Sequence, residues 1–437
     1  MVTTRLLTCF TAIGALLAPS TVFAQSSSNP PASDTLIPQA EAVRMALENN
    51  PDLQALVHYL QAERTKIQQA KEFPSTSVDF DFDQQVEIFR SDEMYYGFSQ
   101  EIEFPTRIGL RGNLARREVE AAENEHQQSR WELTLVVKSL YQELSLAQQS
   151  VAIAKESLAI AGRLHQMAQQ KYSLGSVGKL DVLRAGVEEA TAANSLSKLE
   201  TEERSLRMQL NYLIGRPAES ELITVALSQG RIPGEEAGEL VDLALRSRKE
   251  LHVIQSKTAA SEVLKSLVRS EYYPDFQFGF ARHHLADDLD NWDITASISI
   301  PLFGRAAIGG RVAEAEAQSR GLRAEEEAAR TRIEFEVRDA YWQVGNLSER
   351  VRRYDDQILA QAEEAFRIAQ ASYREGEIEN LELLESQRTL QEVRQGFADT
   401  VFSYNLALIS LEGAVGREIG WESPSGTTAQ SRSVESK

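Results

Sequence analysis

Between residues 133 and 161, apolar side chains recur in alternating steps of four and three: Leu133, Val137, Leu140, Leu144, Ala147, Val151, Ala154, Leu158 and Ala161. Ile333, Val337, Ala340, Val344, Leu347, Val351, Tyr354 and Ile358 repeat the pattern. A period near 3.5 residues marks helices packed against one another along their length. The spacing predicts very long helices near 107–174 and 303–374. At about 1.5 Å per residue each would reach roughly 100 Å, beyond the range of an ordinary globular helix. A second stripe on the first of them, Leu146, Ile153, Ile160, Met167 and Leu174, asks for neighbours on two sides. The wall of a helical tube has that property; a plain helical bundle is the competing reading.

Two other regions switch to a period of two. Val78, Phe80, Phe82, Val86 and Ile88 alternate with a face that begins Asp79, Asp81 and Asp83. Over 94–104, Met94, Tyr96, Phe98, Ile102 and Phe104 alternate with Tyr95, Gly97, Ser99, Glu101 and Glu103. Phe276, Phe278 and Phe280, then Trp292, Ile294, Ala296, Ile298 and Ile300, repeat the arrangement, with Asp293, Thr295, Ser297 and Ser299 on the other face. Such segments are half-buried strands, and about ten residues suit a tilted strand crossing a bilayer. Lipid would meet the apolar face, and Asp79, Asp81, Asp83, Glu101, Glu103 and Asp293 would line water. Four strands cannot close a barrel; three chains would bring twelve, within the known range. A soluble sheet packed on a core is the alternative. The intervening turns, 89–93 and 284–290, are polar, and His283 and His284 beside Asp287 are weak candidates for a metal site.

The chain states this plan twice. Tyr172-x-x-Gly175 matches Tyr373-x-x-Gly376, Leu180-Asp181-x-Leu183 matches Leu381-Glu382-x-Leu384, and Gly215-Arg216 matches Gly416-Arg417, all at an offset of 201. Upstream the offset slips: Tyr141 matches Tyr341, Pro74 matches Pro274 and Pro105 matches Pro301. Two halves of one architecture follow. Each contains a helix (near 40–72 or 237–271), a strand pair, the long helix, a Gly-containing turn and a second helix. The expected division is 1–24 export signal, 25–39 flexible segment, 40–220 first repeat, 221–236 linker, 237–416 second repeat and 417–437 flexible tail.

The export signal rests on Arg5, the apolar run Leu6 to Leu17, Pro19, and Val22-Phe23-Ala24 as a cleavage pattern. Cys9, the only cysteine, falls inside it, so a mature chain would have no disulfide, thiolate metal ligand or lipid-acceptor cysteine. The formal charge of −19 argues against nucleic acid as a partner and for cations as cargo. Metalloprotease, phosphate-loop and hydrolase-triad patterns are missing, so neither an enzyme nor a cofactor is expected.

The duplicated plan, with Tyr172-x-x-Gly175 and Tyr373-x-x-Gly376 and the Leu-acid-x-Leu after each, resembles the TolC family of outer-membrane efflux factors over roughly 40–416. Gln100-Glu101-Ile102-Glu103-Phe104-Pro105 with Arg107, Gly109 and Arg111, and Pro301-Leu302-Phe303-Gly304-Arg305 with Gly309, Gly310 and Arg311, are similar to the cobalt–zinc–cadmium (CzcC-like) subgroup. The resemblance implies a mainly α protein with β structure. Three copies would share a twelve-stranded outer-membrane β-barrel that continues as an α-barrel tunnel in the periplasm. It also implies partners: a periplasmic adaptor (membrane fusion protein) and an inner-membrane RND-type pump. By resemblance, Tyr373, Glu382 and Glu385 form the periplasmic constriction, with Asp181 and Arg184 at the matching first-half positions. Gly175, Leu180, Gly376 and Leu381 then mark the tips that meet the adaptor. The expected cargo is divalent heavy-metal cations. Drug or protein export by the same architecture, and a periplasmic coiled-coil adaptor or structural protein, stay open as alternatives.

Overall fold

The computed structural model describes residues 36–84, 92–230, 234–284 and 290–420; the expected export signal and most of both tails lie outside them. The chain builds two similar halves. In the first, β1 (Leu36–Ile37) leads into α1 (Gln39–Asn49) and α2 (Pro51–Gln69), then β2 (Ser77–Gln84), β3 (Asp92–Ile102), α3 (Pro105–Ser173) and α4 (Lys179–Leu213). In the second, β4 (Ile223–Thr224) is followed by α5 (Ala237–Ser247), α6 (Lys249–Ser270), β5 (Asp275–His284), β6 (Asp290–Ser299) and α7 (Arg305–Arg353). A single π-turn (Tyr354–Ile358) then leads to α8 (Leu359–Glu375) and α9 (Asn380–Val415). α3 alone runs for 69 residues, or roughly 100 Å.

Three expectations need correction. The helix near 40–72 is two helices, because Asn50 precedes Pro51 and is driven to an extended backbone (ψ 122°). There its side chain caps α2 by accepting from the Leu53 N–H at 3.1 Å. The helix near 237–271 breaks at the equivalent place without a proline. Arg248 is extended (ψ 117°), with Nη1 donating to the Gly413 carbonyl at 2.5 Å and Nη2 to Glu336 at 2.6 Å. Third, the segments expected to be flexible are partly ordered. β1 pairs in parallel with β4, and Tyr141 clamps the pair, donating to the Ile37 carbonyl at 2.7 Å and accepting from the Val225 N–H at 2.8 Å. At the other end Ile419 packs on the second-half core.

The two halves bury equivalent cores. Val137, Tyr141 and Leu144 of α3 meet Leu206 and Leu210 of α4 beneath α1. Ile333, Val337 and Val344 of α7 meet Tyr404 and Leu408 of α9 beneath α5 and α6. Each closing helix ends on a glycine seated on the break in its own half. Gly215 (φ 73°) abuts Asn49, and Gly416 (φ 81°) abuts Arg248. A side chain would be strained there by the left-handed backbone and excluded by contact. Between the halves, Lys138 of α3 is buried with Glu412 of α9, Nζ to Oε2 at 3.0 Å, and reaches Glu418 at 3.1 Å. Burial alone would push its ammonium pKa down, yet the two carboxylates hold it above the ordinary value.

The four long strands form one antiparallel sheet in the order β2-β3-β5-β6. β2 and β6 are left as open edges, and among the described residues no helix is long and apolar enough to cross a membrane.

Candidate functional site

The sheet keeps the predicted alternation. Register sets Val78, Phe98, Phe280 and Ile294 in one transverse row, and Asp79, Gly97, Ala281 and Asp293 in the adjacent row on the opposite face. The apolar row is uncovered, with Ile294 83 % exposed. That is the reverse of a soluble sheet packed on a core. Asp79 and Asp293 share the polar face, and Glu101 pairs with Gln277 on it. Asp81 and Asp83 hold matching positions on β2, opposite Tyr95 and Glu93, but their side chains lie outside the described residues.

Glu103 departs from the expected lumen row. It falls beyond the end of β3 and is held by Arg111 at 2.7 Å. Nearby, Arg107 grips both oxygens of Asp275 at 2.8 Å, and Asp275 Oδ1 also accepts from the Phe104 N–H at 3.0 Å. Arg311 pairs with Glu271 in the second half. Arg107 and Arg111 therefore tie the start of β5 and the end of β3 to α3, and Arg311 ties the end of α6 to α7; charge-assisted hydrogen bonds of this kind are the strong ones. Pro105 opens α3 at a position where a missing N–H has no cost.

At the far end the two helical turns lie side by side. Gly175 (φ 75°) and Gly376 (φ 82°) take the left-handed conformation, with open space where a Cβ would be. Asn380 donates to the Asp181 carbonyl at 3.4 Å, and Lys171 donates to the Tyr373 carbonyl at 2.6 Å. Leu180, Leu381, Glu382, Glu385 and Arg184 are exposed. Asp181 is half-buried and caps α4, its carboxylate accepting from the Gly178 N–H at 3.2 Å. Arg184 makes no ion pair among the described residues.

Tyr373 is buried within its own chain. Its ring is 2 % exposed, in a core with Ile160, Leu164, Leu383 and Leu384. Lys171 Nζ lies 3.9 Å from its centroid, a cation–π contact. Burial, then the Asp181 charge, pushes its phenol above the usual range. In this conformation Tyr373 is tip core, and the exposed acids of the second tip are Glu382 and Glu385. Lys171 and Asn380 escaped the sequence reading. Stripe-counting passes over a lysine whose stem and charge cover a ring, and over an amide whose partner is a backbone carbonyl.

His283 and His284 end β5 with their side chains outside the described residues, as is all of Asp287. Among the described residues no group of three or more His, Cys, Asp or Glu could hold a metal. The remaining features are a two-faced sheet, long helices and exposed acids at a helical tip, an arrangement for conduction rather than bond chemistry.

A family model described as outer membrane efflux protein matches residues 42–216 and 240–417. The chain is 26 % identical over 322 residues to the cobalt-zinc-cadmium resistance protein CzcC of Cupriavidus metallidurans, covering 72 % of this chain and 75 % of that one. It is 24 % identical over 338 residues to the pyoverdine export outer membrane protein OpmQ of Pseudomonas putida, covering 75 % and 71 %. Among solved structures, the outer-membrane channel OprN superposes with a TM-score of 0.73 at 23 % identity, over 87 % of this chain and 90 % of that one. The TolC-like fold is therefore shown, and the chain is a passive channel component rather than an enzyme. With its model matched in both halves, the chain belongs to the outer membrane efflux protein family.

Proposed function

We propose that three copies of this chain close a twelve-stranded barrel in the outer membrane and pass cargo from the periplasm to the exterior through a helical tunnel. The observation that carries this reading is the four-stranded sheet, with its bare apolar face and two unpaired edges. Lipid cannot satisfy open strand edges, so a sheet in a bilayer must close on itself. Pairing β6 of one copy with β2 of the next does so without a new element. Exposed apolar side chains on the helices fit the same assembly: Phe335 and Trp342 on α7, and Leu180, Leu183 and Val187 on α4.

The cargo is read as divalent metal cations, delivered by a periplasmic adaptor and an inner-membrane RND-type pump. Support comes from Glu382 and Glu385, exposed on one helix face, which a threefold axis turns into stacked carboxylate rings that favour cations. The likeness to CzcC points the same way. A second reading, export of small organic molecules through the same duct, is favoured by the comparable likeness to OpmQ. Gly175, Leu180, Gly376 and Leu381 are assigned to the adaptor-facing tips.

Planar-bilayer recording tests the channel. The purified protein should form trimers that give discrete conductance steps, and a detergent-independent monomer without conductance would end the proposal. Glu382→Gln with Glu385→Gln should shift the reversal potential in a salt gradient toward zero; an unchanged potential would remove these acids from selectivity. Growth of a deletion strain on cobalt, zinc and cadmium, against a panel of organic toxicants, separates the two cargo readings.

A further inference from the structure

Within one chain α9 of the second half already grips α3 of the first. Leu135 of α3 lies against Gly413 of α9, its Cδ1 3.0 Å from where a Cβ on that glycine would sit. Asn405 of α9 donates to the Gln142 side chain of α3 at 3.0 Å, and Lys138 meets Glu412. On α3 these residues lie away from Val137, Tyr141 and Leu144, which face α4, so α3 packs α4 on one side and α9 on the other.

The repeat carries each member of this seam to a position in the opposite half. Leu135, Lys138 and Gln142 become Phe335, Arg338 and Trp342 of α7 at an offset of 200; Asn405, Ile409 and Gly413 become Arg204, Met208 and Tyr212 of α4 at 201. Inside the chain this second set lies bare. Gln142 is 8 % exposed and Ile409 2 %, whereas Trp342 is 75 % and Met208 39 % exposed. Two grooves repeat the relation. Phe335, Asp339 and Ala340 with Ile409, Ser410 and Gly413 line the groove between α7 and α9, and Trp131, Leu135 and Ser139 of α3 wall its third side. The equivalent positions, Leu135, Ser139 and Leu140 with Met208, Gln209 and Tyr212, line the groove between α3 and α4, which has no third helix among the described residues. The residues that would supply that wall by equivalence, Thr331, Phe335 and Asp339, belong to α7, which packs on α5, α6 and α9 instead.

We propose that α7 of one copy packs on α4 of the next as α3 packs on α9 within a chain, with Trp342 stacked on Arg204 and Phe335 set against Tyr212. The proposal rests on the three-copy reading above and supplies its helical seam. Two different patches meet head to tail, the kind of contact that generates a ring when its rotation closes. The chemistry differs from that of the in-chain seam. A guanidinium over an indole replaces the Gln142–Asn405 amide pair, and ring on ring replaces leucine on glycine. The Lys138–Glu412 pair is not repeated. Arg338 is held by Glu334 of its own helix at 3.0 Å, and Asn211, in the place of Glu412, donates to the Ala218 and Ser220 carbonyls. Chains that fold before they meet thereby avoid burying an ion pair, and the unlike chemistry keeps one seam from standing in for the other.

The test joins thiols across the seam in full-length protein whose only cysteine is removed as Cys9→Ser. Arg204→Cys and Trp342→Cys chains, co-expressed, should be linked into dimers by a short bis-maleimide, and chains carrying both substitutions into trimers; either variant alone should stay unlinked. Moving one thiol by a heptad, as Arg204→Cys with Phe335→Cys, should lower linking about tenfold, because that thiol lies about 10 Å away along α7. Without crosslinker, Arg204→Gln and Trp342→Leu should each speed trimer dissociation in detergent about tenfold, with the double variant falling well short of their product. Equal linking by the shifted pair, no linking in trimers that still conduct, or fully multiplicative losses would overturn the pairing and leave the channel standing. Failure of the unaltered chain to form conducting trimers would remove the barrel reading and this seam together.

Discussion

The slip in the internal repeat has a structural cause that a single insertion can test. Tyr141 and Tyr341 are 200 residues apart, whereas Tyr172 and Tyr373 are 201 apart, so the second half gains one residue between them. α3 runs unbroken through its stretch, but its counterpart contains the π-turn at Tyr354–Ile358. A π-turn holds one extra residue inside a helix. Inserting one alanine after Ile358 exceeds the single residue that the π-turn absorbs, turning everything toward the tip by about 100° and shifting it by about 1.5 Å. Tyr373, now 2 % exposed, would leave its core with Leu383 and Leu384, and Phe366 would follow. Exposing two side chains of that size costs about 3–6 kcal/mol, borne by the tip rather than the whole chain. Hydrogen exchange reads the effect: amides of Leu383, Leu384 and Leu390 should lose about two to four orders of magnitude of protection. Those of Val337 and Val344 should hold theirs. Unchanged protection at the tip, or loss confined to α7, would refute the idea that a π-turn holding one residue and no more sets the register of the second hairpin.

Four further outcomes can be checked by thermal or chemical unfolding. Lys138→Met strands Glu412, itself 1 % exposed, and should cost about 3–5 kcal/mol; adding Glu412→Leu should recover much of it, and no recovery would argue against a buried-charge penalty. Gly416→Ala and Gly376→Ala share a left-handed backbone, but only the first would press a Cβ to 2.9 Å from the Arg248 Cα. Gly376→Ala should cost about 1 kcal/mol and Gly416→Ala clearly more, so equal losses would discount the contact. The Tyr404 hydroxyl is buried without a hydrogen-bond partner among the described residues, and burial pushes its phenol up to about 12; Tyr404→Phe should be neutral or stabilising, and a loss above about 1 kcal/mol would expose a missing partner. Lys265, then Ser319, holds the Glu262 carboxyl at about 2 against an ordinary 4.5. Its contribution is therefore present above pH 4.5 and fades as pH falls toward 2; Glu262→Gln should flatten that part of the acid limb.

The long helices and the strand pairs were legible because each repeats one simple period over many residues. The stripe from Ile333 to Val351 is buried as read apart from half-buried Leu347, yet it ends early: Ile358 is 38 % exposed. The π-turn rotates the helix there, and a constant period cannot register one inserted residue, although the slip in the repeat contained the information. The break at Asn50 could be read from Pro51. Its counterpart at Arg248 could not, since it is held by Gly413 and Glu336, distant in sequence. The sheet faces were legible by parity, but the end of β3 was not. Glu103 keeps the alternation of a strand while Arg111, on the next helix, takes its carboxylate. The tips were placed by Gly175 and Gly376, whereas the inward turn of Tyr373 depends on packing that only the folded hairpins create.

That inward turn bears on what the tips can do. The repeat makes Tyr172 and Tyr373 equivalent, yet one is 47 % exposed and the other buried. Around Tyr172 the first tip bares Leu174, Leu180 and Leu183. Around Tyr373 the second bares Glu375, Glu377, Glu379 and Glu382, with Leu381 its one exposed leucine. Duplication alone would give two like tips, so the difference lies in the residues that each tip carries. In a threefold ring the six tips would alternate between a leucine-rich and a glutamate-rich surface. A partner able to grip all six with one kind of surface would leave either the leucines or the glutamates unmatched. Docking would therefore fall to a partner presenting two chemistries in alternation, or to one that seats on the apolar tips and leaves the acidic ones to face the passing cargo.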